Sequence, residues 1–169
     1  MSDAIDEIIG QWTAERPDLT DDLWPVEVLG RLQRLGRVLD KEFKAFAAER
    51  GLELGEVDVL TTLQRSGAPY ELTAGAILKA SMVTSGAITN RIDRMEAKGL
   101  VERVRDGADR RSVKIRLTDH GHRVTRDYMR DHLANEARML AELGGREEGA
   151  RLAGMLRTLL VSFGDTSLK

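Results

Sequence analysis

Cysteine is absent from the 169 residues, which excludes disulfides, thiolate nucleophiles and cysteine-ligated zinc. No apolar run approaches the roughly 18 residues needed to cross a bilayer. The N-terminus opens with Asp3, Asp6 and Glu7, which fits neither a signal peptide nor a transit peptide. A GxSxG elbow, a P-loop, a dinucleotide fingerprint and an HExxH helix are all missing, so nothing points to an enzyme or to a cofactor. Internal repeats and low-complexity tracts are absent too. The expected setting is the cytoplasm, with no membrane partner.

What is present is a soluble composition, 41% hydrophobic and 32% charged, long enough to bury a core. The formal charge of -2 hides an uneven distribution. Residues 1–58 carry seven Lys/Arg against fourteen Asp/Glu, whereas residues 72–118 carry ten against five. Binding a polyphosphate requires a locally positive face and not a positive total.

Apolar spacing predicts helices along most of the chain. Ile5, Ile8, Ile9 and Trp12 share one stripe over residues 3–15, and Arg16-Pro17-Asp18 ends it. A longer helix starts at Trp24-Pro25 and carries Val28, Leu32, Leu35, Leu39, Phe43 and Phe46 to about Arg50, where Gly51 suits a left-handed cap. A third runs from Gly55 to Arg65. Two short helices follow, the first capped by Thr73 and ending near Ser81, the second capped by Thr84 or Ser85 and ending at Lys98-Gly99. Thr118-Asp119 opens a long helix, Gly144-Gly145 breaks the chain, and a last helix carries Leu152, Leu156, Leu159, Leu160 and Phe163.

After Gly99 the period changes to alternation, over Val101 and Val104 and then Val113, Ile115 and Leu117. Two strands joined by the polar turn 105–111 make a wing. The expected fold is therefore mainly α with a small β-hairpin, a winged helix-turn-helix. Residues 1–50 and 119–169 are expected to supply dimerisation helices, and residues 51–118 the DNA-binding region. In a helix-turn-helix the second helix enters the major groove. Thr84, Ser85, Thr89, Asn90, Arg91 and Arg94 are the side chains it can offer to bases and phosphates. Arg105, Arg110 and Arg111 in the wing suit a backbone or minor-groove contact.

Residues 55–120 resemble the multiple-antibiotic-resistance regulator (MarR) family. The resemblance lies in Gly55-Glu56-Val57-Asp58-Val59-Leu60, in Thr89-Asn90-Arg91-Ile92-Asp93-Arg94-Met95-Glu96-Ala97-Lys98-Gly99-Leu100-Val101, in Asp109-Arg110-Arg111-Ser112 and in Leu117-Thr118-Asp119-His120-Gly121. It implies a DNA-binding regulator, by default a repressor, whose terminal helices intertwine in a homodimer on pseudo-palindromic double-stranded DNA. The added leading helix resembles the urate-responsive, PecS-type branch. That branch implies a small anionic ligand held by Trp12, Asp58, Arg91 and Arg103, an aromatic wall with one acid and two cations. Citrate and trans-aconitate, answered by related members, are the alternative ligands, and the remaining alternative is a regulator with no small ligand that acts by DNA or protein contact alone.

Three of these four residues also have a plain structural role: core packing for Trp12, a favourable helix-start charge for Asp58, a strand-edge cation for Arg103. His120 and His122, with His132 further on, raise the question of metal. Two residues apart on a helix, the first pair face different ways, so no metal site is expected.

Overall fold

The computed structural model describes residues 2–81, 88–105 and 113–168, which divide into two compact units, Met1–Glu49 and Arg50–Lys169. In the first unit, helix α1 spans Ala4–Glu15 and α2 spans Trp24–Ala48, with a 3-10 turn at Pro17–Asp22 between them. Asp3 caps α1, accepting from the amides of Ile5 at 2.7 Å and Asp6 at 3.1 Å, while Asp6 accepts from the Asp3 amide at 2.8 Å. Arg31 of α2 then grips both carboxylates, at 2.8 Å from Asp3 and 2.5 Å from Asp6. Beneath this lock Ile5 is buried against Gly30, where an added Cβ would stand 2.9 Å from the Ile5 Cδ1.

The Asp3 amide outweighs desolvation and, with Arg31, holds the Asp6 carboxyl below the usual aspartate range. A carboxylate whose folded pKa is depressed contributes above its unfolded pKa, and that contribution fades as pH falls through the folded value. The lock is therefore closed at neutral pH and opens in acid. Asp3→Ala, which removes cap and ion pair together, is expected to open it at neutral pH. Hydrogen exchange read by mass spectrometry should show faster exchange over residues 4–9 and no change over residues 54–65.

The second unit holds α3 (Leu54–Arg65), β1 (Glu71–Thr73), α4 (Ala74–Ala80), α5 (Ile88–Ala97), β2 (Val101–Arg105), β3 (Val113–Leu117), α6 (Asp119–Met139) and α7 (Arg146–Ser162). Its core gathers Val59, Leu60 and Leu63 from α3, Ile77 from α4, Ile92 and Met95 from α5, and Leu100, Val101, Ile115 and Leu117 from the sheet side. Ile77 of α4 and Ile92 and Met95 of α5 are inward residues that helical spacing predicts. Gly51 and Gly99 stand at φ 71° and 67°, the left-handed stops expected at the two helix ends.

The sheet has three strands in the order β1-β3-β2, all antiparallel, with Leu72 opposite Ile115 and Arg103 opposite the same residue on the other side. The alternation pattern predicts only two of them. Glu71 of β1 takes Arg116 at 2.6 Å and Lys114 at 3.3 Å from β3. These cations, Arg116 foremost and against desolvation, keep its carboxyl below the usual glutamate range.

At the foot of the hairpin Thr118 caps α6, accepting from the Gly121 amide at 2.9 Å and donating to the Gly99 carbonyl at 2.6 Å. The Gly121 carbonyl in turn accepts from Thr125 at 2.7 Å. Apolar side chains remain on the outside of both units. Leu35 and Val38 of α2 are about half exposed, and toward the C-terminus Leu140, Met155, Leu160 and Phe163 are more than half exposed. No described helix is long and apolar enough to cross a membrane.

Candidate nucleic-acid interface

Helices α4 and α5 form the helix-turn-helix. Thr73, the last residue of β1, caps α4 by accepting from the Ala76 amide at 3.2 Å. At the other end Arg65 of α3 donates to the Ala80 carbonyl and to the Thr62 hydroxyl. This arginine closes the C-terminus of α4, where a cation suits the helix dipole. Its partner lies 15 residues away in sequence, and no local pattern announces the contact. Thr84 and Ser85, expected to begin the reading helix, lie outside the described residues, as do Arg110 and Arg111 of the wing.

From Ile88 onward α5 presents four stripes. Ile88, Ile92 and Met95 turn inward, the last two fully buried. Arg91, Arg94 and Lys98 recur at intervals of three and four and so share a second face. That face meets the start of α3. Arg94 reaches Glu53 at 2.8 Å, and Lys98 reaches the buried carboxylate of Glu56 at 2.7 Å and the Gly51 carbonyl at 3.1 Å. Arg91 is half-buried, its guanidinium laid on Gly55. A Cβ built there would stand 2.5 Å from the Arg91 Nε and from its guanidinium carbon. The same Nε is buried and finds no hydrogen-bond partner among the described residues.

Asp93 and Glu96 hold the third stripe, and both bind Arg103 of β2. The guanidinium lies 2.5 Å from Asp93 and also pairs with Glu96, whose carboxylate further accepts from the Arg103 amide at 3.2 Å. These two acids, Asp93 first, stabilise the charged form of Arg103 beyond that of a free arginine. The fourth stripe is open. Asn90 stands exposed on it, Thr89 is exposed at the head of the acidic stripe, and Arg105 is exposed at the end of β2.

The four residues expected to hold a ligand are thus distributed. Asp58 is buried on α3, one turn beyond Gly55, so Arg91 rests on the helix that carries it. Arg103 is bound to the two carboxylates of α5. Trp12 belongs to the first unit, about half exposed on α1. Two of the three histidines are engaged apart from each other: His122 Nδ1 meets the Gln64 carbonyl oxygen at 2.9 Å, and His132 meets Glu136 at 3.2 Å. Among the described residues no cluster of three ligating side chains suits a metal.

Residues 50–112 match the MarR family. Over 152 residues the chain is 36% identical to the HTH-type transcriptional regulator PecS of Dickeya dadantii, covering 90% of each. Its fold matches that of Sco5413, a MarR family transcriptional regulator from Streptomyces coelicolor, with a TM-score of 0.69 at 26% identity over 85% of this chain and 97% of that one. It also matches the organohalide-sensing regulator RdhR-CbdbA1625, solved with 2,4-dichlorophenol bound, with a TM-score of 0.68 at 17% identity over 80% and 78%.

Proposed function

The chain belongs to the MarR family of DNA-binding transcriptional regulators, and from that premise we propose that it is a homodimeric repressor released from an inverted-repeat operator by a small planar anion. Urate heads the candidate ligands, and the work is done in the cytoplasm, where the DNA is. The uncovered apolar faces of α2, α6 and α7 support a second copy as partner. Two reading helices related by a two-fold axis favour half-sites about one helical turn apart. Asn90, with Thr89, reads base edges, and Arg110 and Arg111 supply charge to the backbone.

The observation that carries the ligand reading is the seat of Arg91 on Gly55, one turn from buried Asp58. A change in charge near Asp58 acts on a cation of the reading helix. Arg103 supplies a second route. An anion that draws it away uncovers Asp93 and Glu96, and two bare carboxylates on α5 repel DNA phosphates. A ligand shifts this equilibrium only by its differential affinity for the two states, so roughly 1–3 kcal/mol of coupling suffices.

The test is a gel shift on the DNA upstream of the protein's own gene, with urate, citrate and trans-aconitate each added. Asp58→Asn keeps the shape and removes the charge. It is expected to bind the operator as the parent does and to release it at roughly tenfold higher ligand, for about 1.4 kcal/mol of lost coupling. Asn90→Ala is expected to lower the preference for operator over random DNA in the absence of ligand. A parent that ignores all three compounds, or an Asp58→Asn variant that answers as the parent does, sinks the ligand reading and leaves the DNA reading standing.

A further inference from the structure

Basic side chains on a reading helix are usually assigned to phosphates, yet the described cations of α5 point the other way. Arg91, Arg94 and Lys98 all meet the segment Gly51–Glu56. The deepest of these contacts is Glu56. Its side chain is fully buried, and one oxygen accepts from both the Lys98 ammonium at 2.7 Å and the Glu53 amide at 2.9 Å. The other oxygen is buried with no hydrogen-bond partner among the described residues. A buried carboxylate so incompletely satisfied is a costly way to hold two helices together, since apolar residues of the same volume generally do it better. What an ion pair adds over an apolar contact is direction, because it holds at one separation and one angle.

We propose that Glu56 and Lys98 are a positioning pair that sets the pitch of α5 against α3, with Glu53 and Arg94 as an outer brace, and that Lys98 and Arg94 contact no phosphate. The inference rests on α5 being the helix that reads DNA. The pair ties the C-terminal end of α5 to the first turn of α3, so the N-terminal end, where Thr89 and Asn90 stand, is aimed by a lever about two turns long. A small error of pitch at Lys98 becomes a missed base edge at Asn90, while phosphate attraction, which tolerates displacement, is nearly unaffected.

The measurement is fluorescence anisotropy with two duplexes, one selected by the protein from a randomised library and one of random sequence, across a range of salt. Thermal melting of each variant accompanies it. Lys98→Met is expected to lose about tenfold on the selected duplex, the size of one mismatched base pair, and less than about twofold on the random one, with its salt slope unchanged. A phosphate contact would instead weaken both duplexes alike and reduce the slope by about one. Arg94→Gln is likewise expected to leave the slope unchanged.

Because Lys98→Met strands a buried charge, the double variant Glu56→Gln/Lys98→Met decides between positioning and plain stability. Its melting temperature is expected to recover, while the ratio of selected to random affinity stays at the single variant's value. A ratio that recovers together with the melting temperature makes the pair merely structural and overturns the proposal. So does a salt slope that falls by about one, or a selected-duplex affinity unchanged in both variants. If random DNA binds but no duplex is ever selected, α5 is not a reader, and the failure lies in the functional reading beneath.

Discussion

Replacing Gly121 with alanine is expected to lower the melting temperature by roughly 10 °C, the equivalent of about 3 kcal/mol in a chain of this length. An added Cβ lands well inside contact distance of the Leu100 carbonyl oxygen and 3.0 Å from its carbon. Neither atom can turn aside. The Leu100 carbonyl is fixed by the Thr118 amide at 3.2 Å, and Leu100 itself is buried. The first turn of α6 must therefore lift off the base of the hairpin, and the Thr118 cap and the Thr125 bond go with it. Alanine's better helix propensity returns only about 1 kcal/mol. Calorimetry of the purified variant checks the figure, and a melting temperature within 2 °C of the parent's would show that the contact yields far more easily than backbone should.

Gly55→Ala separates stability from function in the opposite sense. The atoms in its way belong to the end of a flexible side chain, the Arg91 guanidinium, and not to backbone. The side chain swings off its seat at little cost, and alanine within α3 contributes up to about 1 kcal/mol. The expected variant melts at or slightly above the parent temperature. Its operator affinity falls about tenfold, within the 1–3 kcal/mol that one well-placed base contact commands, because Arg91, displaced from α3 onto the reading face, crowds the base edge that Asn90 reads. Anisotropy on operator DNA beside a thermal melt measures both quantities. Loss of stability with operator binding intact would mean that Arg91 matters to the core and not to the DNA.

These two glycines also mark how far the sequence can be read. The ends of the helices were legible because each is set within three residues: Thr73 and Thr118 cap by their own hydroxyls, and Gly51 and Gly99 stop helices by a left-handed turn. The winged fold and the family resemblance followed from those local signals. The strand Glu71–Thr73 left no trace, since three residues cannot display an alternating period and its partner β3 lies more than forty residues on. The destinations of the cations were equally hidden. Arg94 reads as an exposed DNA contact until Glu53, 41 residues earlier, is found beside it. Arg103 reads as a free cation, and nothing in the sequence says that Asp93 and Glu96 hold it. Charge type and helical face are sequence properties, whereas partner choice among several acids within reach is settled by the packing of α3, α5 and the sheet.

The short strand that escaped the sequence changes how the interface can move. β1 hydrogen-bonds to β3 through Leu72 and ends at Thr73, which is already the cap of α4. Hairpin and helix-turn-helix thus share a hinge pin with no slack in it: a tilt of β3 cannot be absorbed before it reaches the first turn of α4. Strand β3 and α4 are then expected to move together on a duplex. A regulator built this way cannot loosen its wing alone and keep its helices seated. Weakening either hold is then expected to weaken both, so that the proposed release from DNA comes as a sharp event and not a gradual one.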